Sequence, residues 1–148
     1  PSRMHLVRHA PALALLFVAI PASATPWCDL PQPHPVDAAF AVALERSGGV
    51  TADMRDAQGL AYEGWDNELN RLYRAVMQQF GNGPRRDALR QAQRAWLAWD
   101  DAEAVSDIAQ QEDNGTAGPI AVADQSIARR RSRACTLYLM LEDPSTTP

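Results

Sequence analysis

A chain of 148 residues with 18 acidic and 14 basic side chains carries a formal net charge of −4. That length supports one compact domain with a modest core and is too short for two. The acidic balance argues against nucleic acid as a partner and favours encounter with cationic proteins.

Residues 1–24 have the three-part pattern of a secretory signal peptide. Met4 is a start, Arg8 a positive leader, Ala10 to Ile20 a short apolar run, and Ala22-Ser23-Ala24 a small-x-small cleavage site. An apolar run of about a dozen residues is too short to cross a bilayer, which takes about 20. Export is therefore expected, periplasmic or secreted, with a mature chain starting near Thr25 and not held in the membrane after cleavage. Loss of Arg3 and Arg8 takes the charge from −4 to −6. Trp27, directly before Cys28, is unlike the small residues that precede a lipid-modified cysteine.

Residues 25–50 read as a lead-in and a short helix. Pro26, Pro31, Pro33 and Pro35 block helix and leave an extended segment. His34, between two prolines, reads as a solvated loop residue. Asp37 is placed to cap a helix over residues 38–44, which stops at Gly48-Gly49.

Thr51 or Asp53 is placed to cap a second helix. Trp65, Leu69, Leu72, Tyr73, Val76, Met77 and Phe80 advance by threes and fours and predict one buried face. Gly59 and Gly64 weaken its early turns. Gly81-Asn82-Gly83-Pro84 breaks the chain, and a third helix follows from Pro84 to about Gln110, with Leu89, Ala92, Trp96, Trp99, Val105 and Ile108 as its apolar stripe.

Residues 111–118 are rich in glycine and short polar side chains and predict a loop. A last helix over about 119–141 places Ile120, Ile127, Ala134, Tyr138 and Leu141 on one face, and residues 143–148 predict a disordered tail. The fold class is all-α: a small helical bundle, residues 51–142, built on an antiparallel helical hairpin between Asp66 and Trp99.

In a hairpin turning near Asn82, Tyr73 falls opposite Leu89 or Arg90, Leu69 opposite Trp96, and Asp66 opposite Trp99. Asp66 or Glu68 with Arg94, and Asn70 with Gln93, are then the expected cross-helix polar pairs. Cys28 and Cys135 remain after processing, and an oxidising compartment favours a bond between them. It closes a loop of more than 100 residues and contributes about 4–5 kcal/mol in the chain-entropy model.

Asp100, Asp101, Glu103, Asp107, Glu112 and Asp113 lie between Arg94 and Arg129, an interval without a basic residue. Together with Asn114 in the loop they are the candidate partner-binding residues. A solvated helix face and a docking surface for a cationic protein are both compatible with this run. Some of Arg129, Arg130, Arg131 and Arg133 are expected to balance it within the molecule. No catalytic, cofactor-binding or metal-binding set emerges: Asp100 and Asp101 diverge by about 100° on a helix, and His34 is the one histidine after cleavage.

Asp66-x-x-Leu69-Asn70-x-x-Tyr73, followed by Leu89-Arg90-x-x-Gln93-Arg94-Ala95-Trp96-Leu97, resembles the LprI-type lysozyme-inhibitor family of small exported bacterial proteins. The likeness covers roughly residues 53–141 and includes Arg133. Where the family usually has cysteines this chain has Ala57, Ala104 and a position near Gln125, and Asp100 stands where the family has an arginine. The resemblance implies an exported, non-catalytic inhibitor that occludes a lysozyme cleft, with residues 112–118 as the suitable loop. The alternative is an envelope adaptor that binds another protein through its acidic helix face.

Overall fold

The computed structural model describes residues 26–143 and residue 145. The expected signal peptide and most of the expected tail lie outside the described residues. Four helices follow in order: α1 Pro35–Ser47, α2 Thr51–Phe80, α3 Pro84–Gln110 and α4 Ala117–Glu142. No strand occurs among the described residues.

Local chemistry sets the helix ends. Gly48, with φ 56°, ends α1, and Gly81, with φ 62°, ends α2. The cap of α1 is His34, whose Nδ1 accepts the Val36 N–H at 3.2 Å. Helix α1 thus begins three residues earlier than residues 38–44 suggest, with Pro35 at a position that needs no N–H. Asp37 is not the cap. Its carboxylate instead accepts from Trp65 Nε1 at 3.1 Å and Arg131 Nε at 2.8 Å, tying α1 to α2 and α4.

Helix α2 runs unbroken through both glycines. Gly64 has a packing reason: a Cβ there would meet the Val36 methyls at 3.0 and 3.1 Å, so its absence lets α1 approach. A Cβ at Gly59 would meet nothing within 4 Å. The N-cap is Val50, without a side-chain hydrogen bond, rather than Thr51 or Asp53.

The core lies along α2 and α4. Trp65, Leu69, Leu72 and Val76 of α2 are fully or almost fully buried against Ile127, Ala134 and Leu137 of α4. Each large side chain removed from water in this way contributes about 1.5–3 kcal/mol before conformational entropy is set against it. The apolar face expected on α2 is the face that is buried, but its main partner is α4. Helix α3 adds Leu89 to the buried cluster and Trp96 to its edge.

Along α3 the predicted apolar stripe is corrected. Trp99, Val105 and Ile108 are exposed, as are Ala92 and Leu97. The residues that α3 turns inward after Leu89 include Gln93, Trp96, Asp100 and Asp107, which recur at spacings of three, four and seven. This face is mostly polar because α4 meets it with arginines.

The proline-rich lead-in is part of the fold. Trp27 is 3% exposed, packs against Trp65, His34 and Tyr138, and donates from Nε1 to the Arg131 carbonyl at 3.3 Å. Cys28 is bonded to Cys135, fixing the lead-in to α4 across 107 residues of sequence. His34 is therefore no solvated loop residue: its ring lies 4.4 Å from the Trp65 ring, and its Nε2 lies 3.7 Å from Glu68 Oε1.

Candidate functional site

The residues singled out by sequence fall into two groups with different surroundings. The first forms a polar seam. Arg130, 9% exposed, reaches from α4 to Asp100 on α3 at 2.8 Å and to Asp66 on α2 at 3.3 Å. Arg129 donates to Asp100 at 2.6 Å, and also to Asp107 and Ser126. Arg133 donates to Gln93 Oε1 at 3.0 Å. The Arg130 guanidinium also stacks on the Tyr62 ring, 4.0 Å from its centroid.

These contacts replace the expected pairings. Asp66 meets Arg130 rather than Arg94, and Glu68 is held by Arg71 and faces His34. Asn70 donates to its own helix, to the Asp66 carbonyl at 2.9 Å and the Asp66 carboxylate at 3.0 Å, leaving Gln93 to Arg133. Arg90 pairs with Asp87 one turn away on the surface. The reason is geometric: α4 lies against α2 and supplies long side chains that reach α3, so the cations come from the last helix.

Burial and hydrogen bonding compete in setting the ionisation of these groups. Desolvation opposes the charge on Arg129, but hydrogen bonds to Asp100 and Asp107 outweigh it and raise the pKa above its ordinary value. Burial lowers the pKa of Arg133, whose hydrogen-bond partner is the neutral Gln93 rather than a carboxylate. On α2, the hydrogen bond from Arg71 holds Glu68 below its ordinary value of 4.5 in spite of burial.

Two of the candidate partner-binding residues are thereby removed from the surface. Asp100 is 4% exposed, and Asp107 lies in an ion pair with Arg129, so neither can present charge to a partner. Asp100, at a position where arginine is expected from the resemblance, faces two arginines; an arginine there would leave three cations together. The departure is a structural one and does not touch an exposed surface.

The second group is accessible. Asp101 on α3, and Glu112, Asp113 and Asn114 in the loop between α3 and α4, are exposed, and Glu103 is half-buried. The loop is a compact turn. Asn114 donates from its side chain to Gln111 Oε1, and the Asn114 carbonyl accepts from Ala117 and Gly118. Gly118 is buried, and a Cβ on it would lie 2.7 Å from the Gln111 carbonyl oxygen, so only glycine allows the loop to close this tightly.

Beside the loop is a hollow of about 400 Å³ whose walls include Ile108, Gln111, Glu112, Pro119, Val122 and Ala123. Sequence reasoning found the charges here and missed the hollow, because its apolar walls come from two helices. Among the described residues no His, Cys, Asp and Glu come together as a metal-holding group, and no helix is long and apolar enough to cross a membrane.

A family model described as "Lysozyme inhibitor LprI" matches residues 43–137, well over half of the chain. No curated protein and no solved structure matches.

Proposed function

The chain belongs to the LprI lysozyme-inhibitor family, and we propose that it is an exported protein that binds a cationic lysozyme and blocks it without chemistry of its own. The observation that carries this reading, beyond family membership, is the separation of the two acidic groups. Asp100 and Asp107 are consumed by α4 arginines, whereas Asp101 on α3 and Glu112 and Asp113 in the α3–α4 loop are left exposed. Lysozymes are commonly cationic, and complementary fields speed encounter and select against wrong partners.

In this reading the bundle is a rigid support, and the loop carrying Glu112, Asp113 and Asn114 is laid over the substrate cleft. The turn is already closed by its own hydrogen bonds, so little ordering is needed on binding. The inhibitor acts by occlusion, with no catalytic residue and no cofactor.

The test is lysis of a cell-wall suspension by several lysozymes in the presence of the purified protein. Dose-dependent protection by a micromolar excess supports the proposal, and unchanged lysis by all of them refutes it. Capture of a different envelope protein through the same exposed acids, with no effect on lysis, points instead to the adaptor role.

A further inference from the structure

We infer that the hollow beside the α3–α4 loop is an anchor pocket for one arginine or lysine side chain presented by the partner. The inference deepens the proposed function and depends on it for the identity of the partner as a cationic lysozyme. The chemistry of the walls defines the occupant. Ile108, Pro119, Val122 and Ala123 offer apolar surface, and the acidic residue Glu112 is among the walls. Ile108 is 60% exposed, so its apolar surface is open for a partner to cover.

Long cationic side chains match this division, with an apolar stem to lie against the walls and a charged head to meet the acid. At about 400 Å³ the space is at the small end of ligand pockets, the scale of one long side chain and its flanking backbone. No competing cation comes from the segment between Arg94 and Arg129, and Arg129 itself is committed to Asp100 and Asp107.

The shape of the pocket is also set in advance. Gly118 sits under the Gln111 carbonyl with no room for a side chain, and the Asn114 amide holds the Gln111 side chain. One wall is therefore fixed before a partner arrives, which lowers the entropy lost on binding.

The experiment uses N-acetyl-arginine methylamide as a probe, with its neutral citrulline counterpart as control, and follows backbone amide resonances of the purified protein. The arginine probe should shift Ile108, Glu112 and Val122 saturably, and citrulline should bind at least threefold more weakly. Glu112→Gln, a change at an exposed loop position, should weaken the arginine probe about threefold with an unchanged Tm. Equal binding of the two probes, or no shift at these residues, overturns the pocket.

A second arm separates this inference from the proposed function. Ala123→Trp fills the hollow and should reduce lysozyme affinity at least tenfold, with helicity retained in circular dichroism. If the unaltered protein inhibits and a folded Ala123→Trp protein inhibits equally well, the pocket is wrong and inhibition stands. If the unaltered protein inhibits no lysozyme, inhibition is wrong, and the arginine probe alone decides the pocket.

Discussion

Asp100→Asn tests the claim that the signature region is a structural frame. The carboxylate accepts from Arg129 at 2.6 Å and from Arg130 at 2.8 Å, and it is 4% exposed. Asparagine keeps the shape but replaces one acceptor oxygen with an NH2 group that must face a guanidinium. Breaking one side of a buried ion pair typically destabilises by about 3–5 kcal/mol. Here Arg129 keeps Asp107 and Arg130 keeps Asp66, so the loss belongs at the lower end, about 3 kcal/mol. At about 4 °C per kcal/mol for a domain of this size, Tm falls by about 12 °C. The control is the neighbouring Asp101→Asn, on the exposed side of the same helix, with a shift within about 2 °C. Thermal unfolding by circular dichroism reads both. Equal, small shifts for the two variants would show that Asp100 is solvated and the seam carries no stability.

Replacing Cys28 and Cys135 together with alanine removes a cross-link over 107 residues and should lower stability by about 4–5 kcal/mol in the chain-entropy model, read as a lower urea midpoint. Gly59→Ala should raise stability by about 0.5–1 kcal/mol, because its Cβ enters open space and helix propensity improves. Gly64→Ala should do the reverse by about 1 kcal/mol or more, since its Cβ meets stiff Val36 methyls, and Val36→Ala should restore part of the loss. Glu68 has a folded pKa below its ordinary 4.5, so its contribution is present above that value and is lost as pH falls through the folded pKa. A pH series of Tm should therefore decline less steeply below about pH 4.5 in Glu68→Gln than in the unaltered protein.

Much of the fold was legible because the signals were local. Gly48, Gly81 and Pro84 stand at helix ends, and the periodic apolar face from Trp65 to Met77 is the buried one. The all-α class followed from these residues alone. The pairing of surfaces was less legible, since neighbouring helices in the chain invite the assumption that they are each other's main partners. Helix α2 instead rests on α4. The inner face of α3 could not be read from hydrophobic period because Gln93, Asp100 and Asp107 are satisfied by Arg133, Arg130 and Arg129, whose positions depend on how α4 folds back.

The candidate site shows the same division. The run from Asp100 to Asp113 is continuous in sequence, but helical geometry sends Asp100 and Asp107 inward and leaves Asp101 outside. His34 gave no sequence signal beyond its place before Pro35, yet it caps α1 and packs in the aromatic cluster. The resemblance carried by Asp66, Leu69, Asn70, Tyr73 and Trp96 identified the family correctly. Of these, Leu69 is buried and Tyr73 and Trp96 pack against the core, which suits a frame better than a contact surface.

The most direct measurement compares lysozyme inhibition by two variants, Asn70→Ala in the frame and Glu112→Arg with Asp113→Arg in the loop. The loop variant should keep its Tm and lose inhibition at least tenfold, whereas Asn70→Ala should lower Tm and, at temperatures where it remains folded, inhibit as the unaltered protein does. Loss of inhibition by a folded Asn70→Ala protein with unchanged Tm, together with full inhibition by the loop variant, would place the contact surface on the frame and contradict the account.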